Sequence, residues 1–354
     1  MSPPAGVPYV NVWRGDLVES VHAVAAAATD RAGAPALAYG DIDTPVFLRS
    51  AAKPFIAAAL VADGTAARFG LSERELAIVS SSHAGEPFHV AAVRGILAKI
   101  GLRESALQCG VHAPYSESAA SALASAAEPP SAVHSNCSGK HAGILASCVA
   151  HGEDVTAYLH ASHPVQRRIL ALCARLVGAP EGTLRLAVDG CGVPVFATSL
   201  RRAARAFAYF AAPEASPLDG RDIDALRRVA FAMAVAPAYV AGAGRFDTAL
   251  SEATAGNILG KAGAEGIHGD ALRREGLGLA VKVVDGATRA VAPATLGLLR
   301  ELGALEKREG AALETFAEPS LRNVAGQIVG RLAVGTDTIR TLSASLGLPS
   351  LPKD

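Results

Sequence analysis

The hydrophobic period changes twice along this chain, and the order of the changes limits what it can fold into. Residues 17–28, 36–39 and 46–48 read as short strands, punctuated by Asp30, Gly33 and Gly40. Residues 54–240 read mainly as helices, most clearly over 88–100, 164–176 and 223–234. From residue 277 the period becomes two, with Leu277, Leu279, Val281 and Val283 alternating with Gly278, Ala280 and Lys282. Asp285-Gly286 follows, so 288–291 is expected to return as a hairpin partner before a final helix over 294–302. Strands at both ends of a helical middle predict an α+β fold. Its antiparallel sheet would be built from N- and C-terminal strands, about 10–50 and 277–292, around a large helical region, about 54–240. Pro129-Pro130 and residues 211–216 read as surface connections rather than domain boundaries, so one domain is expected over 1–354.

Composition narrows the function classes. The 33 Lys plus Arg balance 33 Asp plus Glu, which excludes the basic excess of a nucleic-acid binder. Half of the residues are hydrophobic, which argues against disorder, and 35 glycines with only 5% aromatics imply a core packed through small side chains. The longest charge-free stretch, 229–244, is too short to span a bilayer and is broken by Pro237, Gly242 and Gly244. No apolar run of signal-peptide type follows Arg14, so the cytoplasm is the expected compartment. Five cysteines without C-x-x-C spacing favour reduced thiols or a metal site over disulfides.

No P-loop, G-x-G-x-x-G, H-E-x-x-H or G-x-S-x-G occurs, so the usual supports for nucleotide, zincin and α/β-hydrolase chemistry are missing. Ser50-Ala51-Ala52-Lys53 is an S-x-x-K where strand reading gives way to helix reading. Spacing of i and i+3 would put Ser50 and Lys53 on one helical face, where an amine can take a hydroxyl proton; the plain alternative is an N-cap serine beside a solvated lysine. Ser80-Ser81-Ser82-His83 closes the apolar stretch 76–79, which reads as a strand, and Lys261-Ala262-Gly263 precedes the C-terminal hairpin. S-x-x-K, an isolated serine and K-x-G occur in this order in penicillin-binding proteins and serine β-lactamases, although S-D-N and K-T-G are not reproduced. Taken singly, Ser80 to Ser82 also read as a polar loop and Lys261 as a surface charge.

A second constellation joins Asn136-Cys137-Ser138-Gly139-Lys140-His141-Ala142-Gly143 to Asp189-Gly190-Cys191-Gly192-Val193-Pro194. Two cysteines in Gly-rich turns could share a metal with a nearby His or Asp, or be small buried residues at tight turns.

These segments, with Trp13-Arg14-Gly15, Val18-Glu19-Ser20-Val21-His22, Arg49 to Pro54, Ser82-His83-Ala84-Gly85-Glu86-Pro87 and Lys261 to Gly266, resemble the rhizobial-type asparaginase II family over about residues 10 to 335. The resemblance implies a penicillin-binding-protein or serine β-lactamase-like fold, one catalytic domain and hydrolysis of L-asparagine to L-aspartate and ammonia. It implies Ser50 as nucleophile with Lys53 beside it, Ser82 with Lys261 as a second Ser-Lys pair, and Arg49 lining the site. It also implies a zinc ion held by Cys137, Lys140 and Cys191, with Asp189 and His141 at substrate-pocket or neighbouring positions. A homodimer is implied too. The chemistry would require a lysine brought to about pKa 7 to 8, and Lys53 is the expected base with Lys261 as the second cation. Arg49 suits an α-carboxylate and Asp189 an α-ammonium. His141 competes with Lys140 as a zinc ligand on chemical grounds, since imidazole is neutral near pH 7. The rival readings are a penicillin-binding-type peptidase or esterase and a non-catalytic zinc-stabilised binding protein. Residues 336–354 carry no motif.

Overall fold

The computed structural model describes residues 8–180 and 182–335. The first strands are β1 (Tyr9–Arg14), β2 (Leu17–Thr29), β3 (Pro35–Tyr39) and β4 (Val46–Phe47). Within the helical middle lie β5 (Arg185–Val188) and β6 (Pro194–Thr198). After it come β7 (Ile258–Ala262), β8 (Ile267–Leu272), β9 (Leu277–Val283), β10 (Ser320–Arg322) and β11 (Ile328–Gly335). The main sheet runs β10-β11-β1-β2-β9-β8-β7, with β3 also on β2, and its ladders are antiparallel. The fold is therefore α+β, with a sheet drawn from the two ends of the described chain.

Three local expectations fail. Residues 288–291 do not return as a strand: Thr288–Ala290 is a 3-10 turn that leads into the helix Val291–Glu301. The reason is occupancy, because β9 already has β8 on one edge and β2 on the other and offers no edge to a return strand. Residues 46–47 leave the main sheet and join a second one, ordered β4-β6-β5. The apolar run 76–79 is helical, within Glu73–Val79, because Ser72 and Glu75 form a capping box that starts a helix there.

The main sheet is covered on both faces. Along β2, Ala25 and Ala27 belong to the core under the helical layer, while Val24, Ala26 and Ala28 belong to the core under Val291–Glu301. The helix Leu200–Ala211 lies close on the first face because glycine faces it there. A Cβ at Gly269 would come within 1.9 Å of the Phe207 ring and one at Gly278 within 1.9 Å of the Ala204 carbonyl. Phe55 and Phe207 meet at 5.0 Å between ring centroids. Each buries most of its ring, worth about 2–3 kcal/mol of transfer free energy. Phe55 belongs to the helix Lys53–Ala62, whose residues through Leu60 are all buried, so the lysine at its start is carried into the interior with it. Among the described residues no helix is long and apolar enough to cross a membrane.

Candidate active site

Three segments far apart in sequence meet where that helix begins. The first is the 3-10 turn Arg49–Ala52, which runs directly into Lys53. The Leu48 amide donates to the Phe196 carbonyl at 3.2 Å, and β4 pairs with β6 just before, so the turn is tied to the β5-β6 hairpin. That hairpin carries Asp189 and Cys191 in a connection closed by Gly192 at φ +91°. The third segment is the end of β7, where Gly263 fits against the turn: a Cβ there would lie 2.8 Å from the Leu48 carbonyl. Arg49 adopts φ +49°, a left-handed conformation costing about 1 kcal/mol or more for a non-glycine residue. Its Nε donates to Asp189 Oδ1 at 2.5 Å, so the strained residue sends its guanidinium across to the hairpin.

The Lys53 ammonium is bonded elsewhere than to Ser50. Lys53 Nζ donates to the Ser81 carbonyl at 2.6 Å, Ser82 Oγ at 3.0 Å, Cys137 Sγ at 3.3 Å and the Asn136 carbonyl at 3.4 Å, and not to Ser50. Ser50 in the 3-10 turn and Lys53 at the start of the α-helix both line the same cavity, as three residues per turn allows, but the ammonium is held by its other partners. Lys261 Nζ also reaches Ser82 Oγ, at 3.0 Å. Ser80 and Ser81 give their hydroxyls to the Leu76 and Ile78 carbonyls of the preceding helix, which leaves Ser82 as the serine between the lysines. Burial lowers Lys261 to about 7; Asp247 opposes that fall, while the charges of Lys53 and Arg245 assist it.

Cys137 caps the helix Ser138–His151, and Lys140 projects from its first turn to donate to Cys191 Sγ at 2.9 Å. A hydrogen bond from the Cys191 thiol holds Cys137 well below the usual thiol range despite burial, with Lys53 and Lys140 contributing. The same bond and burial push Cys191 up. Burial alone would lower Lys140, but the two cysteines outweigh it and hold the ammonium above its ordinary range. Burial would raise Asp189, yet Lys140 and Arg49 bring it below the usual carboxylate range. His141 pairs Nδ1 with the Tyr158 hydroxyl at 2.7 Å, while burial, then Lys140 and Lys53, keep its ring neutral.

A cavity with about 450 Å³ of empty space opens beside these groups. Arg49, Ser50, Lys53, Lys140, Gln166 and Asp189 line it, with an apolar wall that includes Ile56, Ile144, Leu170 and Phe196. Ser82, Lys261, Cys137, Cys191 and His141 do not line it. Sequence reading missed Asp247, whose Oδ2 lies 3.7 Å from Lys261 Nζ. An aspartate in the first turn of a helix is too common to stand out, and only packing places it against a lysine.

Residues 10–334 match the family described as L-asparaginase II. The chain belongs to the L-asparaginase II family. The matched span contains every residue of the site, and the membership supports amidohydrolase-type chemistry on a small molecule. Among solved structures, the family member is similar to "Crystal Structure Analysis of Mglu", at 16% identity and TM-score 0.44 over 79% of this chain and 67% of that one. It is also similar to Mglu in its tris and glutamate form, at 15% identity and TM-score 0.45 over 85% and 63%. A third is a protein from Bacteroides dorei DSM 17855 provisionally described as a beta-lactamase, at 15% identity and TM-score 0.37 over 84% and 94%. The chain spans 62% to 67% of the length of the Mglu structures it matches. No curated protein sequence matches it.

The donor chemistry of this family member fits the zinc that the resemblance implies. One sulfur of the Cys137 and Cys191 pair is already thiolate-like, and Lys140 Nζ is in contact with the other. Lys140 would have to give up its proton to serve, as metal binding commonly demands. Among the described residues, the His, Cys, Asp and Glu cluster with metal-ligand spacing is a different one, Cys148, Glu153 and His163. His141 is therefore not placed with Cys137 and Cys191 as a third donor. In that other cluster Glu153 pairs with Arg168 and both His163 nitrogens bond the backbone, so two of its three donors are already engaged.

Proposed function

We propose that this protein is an L-asparaginase that hydrolyses the side-chain amide of L-asparagine to L-aspartate and ammonia. The family match over residues 10–334 carries the reading. The geometry supports it through a serine on a cavity that also holds one guanidinium and one carboxylate. Arg49 would take the substrate α-carboxylate and Asp189 its α-ammonium, so the ion pair they make now would open toward a zwitterion.

Ser50, on the cavity wall, is the proposed nucleophile. Lys53 receives its proton after turning from Ser82 toward residue 50, and Ser82 passes a proton between Lys53 and Lys261. The Ser50 oxygen forms a bond to the amide carbon, and the C–N bond breaks as the nitrogen gains a proton from the lysine pair. Water then cleaves the aspartyl ester and frees Ser50. Burial brings Lys261 to about 7, which supports a part for it in accepting that proton at physiological pH. Zinc held by Cys137, Cys191 and Lys140 would supply Lewis-acid polarisation when bound. We further place the protein in the cytoplasm as a homodimer acting on a small molecule without nucleic-acid or membrane partners, on the resemblance and the balanced charge.

One preparation assayed with L-asparagine, nitrocefin and a simple ester tests the reading. Turnover of asparagine alone is expected; turnover of nitrocefin or the ester without asparagine would favour a penicillin-binding-type enzyme.

A further inference from the structure

Lys261 is backed by a chain of charged groups that the proposed reaction does not itself use. Asp247 opens the helix Phe246–Ala253; its Oδ2 accepts the Ala262 amide at 2.9 Å and lies 3.7 Å from Lys261 Nζ. Its Oδ1 faces His268 Nε2 at 3.1 Å, and His268 Nδ1 faces Asp270 Oδ2 at 3.0 Å. All four residues are buried: Lys261, His268 and Asp270 at 0% exposure and Asp247 at 5%. Both ring nitrogens of His268 thus face carboxylates, which suits an imidazolium donating two hydrogen bonds. The backbone makes room for the chain, since a Cβ at Gly260 would come within 2.9 Å of both Asp270 Oδ1 and His268 Cε1.

With His268 protonated, Lys261, Asp247, His268 and Asp270 sum to zero charge when Lys261 is an ammonium. Uncompensated buried charge is costly, so Asp247 acts directly on Lys261, and His268 and Asp270 act on it through Asp247. We propose that Asp247, His268 and Asp270 form a buried relay of positioning residues that aims Lys261 at Ser82 and sets the pH at which it exchanges a proton with that hydroxyl. The proposal rests on the Ser-Lys reading above. The proton leaving Ser82 Oγ goes to Lys261 Nζ, and none passes to Asp247. Asp247 divides its charge between two cations: His268, held charged by Asp270, takes part of it, and Lys261 is correspondingly freer to become neutral. The other groups acting on Lys261 are Lys53, Arg245 and Cys137. His268 is raised to about 10, burial opposing and the two aspartates prevailing, which agrees with a fixed imidazolium.

The test titrates lysine in the full chain by carbon NMR after ¹³C-lysine labelling, with the Lys261 signal assigned from Lys261→Arg. Asp247→Asn removes the nearest negative charge and should move the Lys261 midpoint down by roughly one pH unit. The double variant His268→Gln with Asp270→Asn leaves one aspartate for one lysine and should move it up by a similar amount. Midpoints unchanged, or moving the same way in both, would overturn the relay. Nitrogen shifts of the wild-type ring test it without any substitution: a neutral His268 at pH 8 also overturns it. Because these readings need no substrate, opposite shifts in a protein that never hydrolyses asparagine would sink the proposed function and leave the relay standing. In an active enzyme the acid limb of kcat/KM should follow the same two displacements.

Discussion

The Lys261 ammonium nitrogen lies 3.0 Å from the Ser82 hydroxyl oxygen, although 178 residues separate them in the chain and the contact itself is buried on the lysine side. Lys53 approaches the same oxygen at 3.0 Å. A hydroxyl between two amines can accept from one and donate to the other only if the second is neutral. The pair therefore has a proton-dependent direction, which underlies the predictions below.

Ser50→Ala should lower asparagine turnover by at least ~10³-fold, since Ser50 is the serine on the cavity wall. Ser82→Ala should also be severe, because it breaks the link between the lysines. Single-turnover assays with a trapped acyl-enzyme separate the two. Near-full turnover in Ser50→Ala with loss in Ser82→Ala would exchange their roles.

The rate should depend on pH through Lys261. Its neutral form is the one able to take a proton, and burial brings its pKa to about 7. The sign follows: kcat/KM should fall about tenfold per unit as pH drops below that value and level off above it. Lys261→Met should erase the limb. The measured midpoint belongs to the coupled lysines. A flat wild-type profile between about pH 6 and 10 would remove the lysine base.

Zinc should bind once per chain, with Cys137→Ser, Cys191→Ser and Lys140→Ala each losing it and His141→Ala keeping it. Elemental analysis of protein purified without added metal reads this directly. Affinity should weaken as pH falls, because a proton must leave Lys140 and another the cysteine pair. Full zinc in Lys140→Ala with loss in His141→Ala would give the histidine the role.

Gly139→Ala should destabilise the fold and disturb both halves of the site. A Cβ there would stand 2.2 Å from the Ile78 carbonyl, backbone that cannot give way, and the contact joins the Cys137 helix to the one preceding Ser82. A cost of about 1–3 kcal/mol is expected, read as a lower denaturation midpoint. An unchanged midpoint would show that the two helices are not held at this distance.

Local signals were enough for much of this protein. A short run closed by turn residues over 17–28 and alternation along 277–283 mark β2 and β9, and periodicity over 88–100 and 164–176 marks helices found within one residue of those bounds, because such signals depend only on neighbours along the chain. Residue types and motif order likewise brought Ser50, Lys53, Ser82, Lys261 and the cysteine turns into view together. What local signals could not decide was pairing. Residues 288–291 carry a turn signal but no strand, since β8 and β2 already fill both edges of β9. Lys53 follows Ser50 at helical spacing yet its ammonium bonds the Ser81 carbonyl, Ser82 and Cys137, because distant segments bring those acceptors within its reach. Asp247, His268 and Asp270 give no motif at all. Side-chain chemistry is written in the sequence, but hydrogen-bond partners and the dielectric around a charge depend on segments hundreds of residues apart, and only tertiary packing sets those.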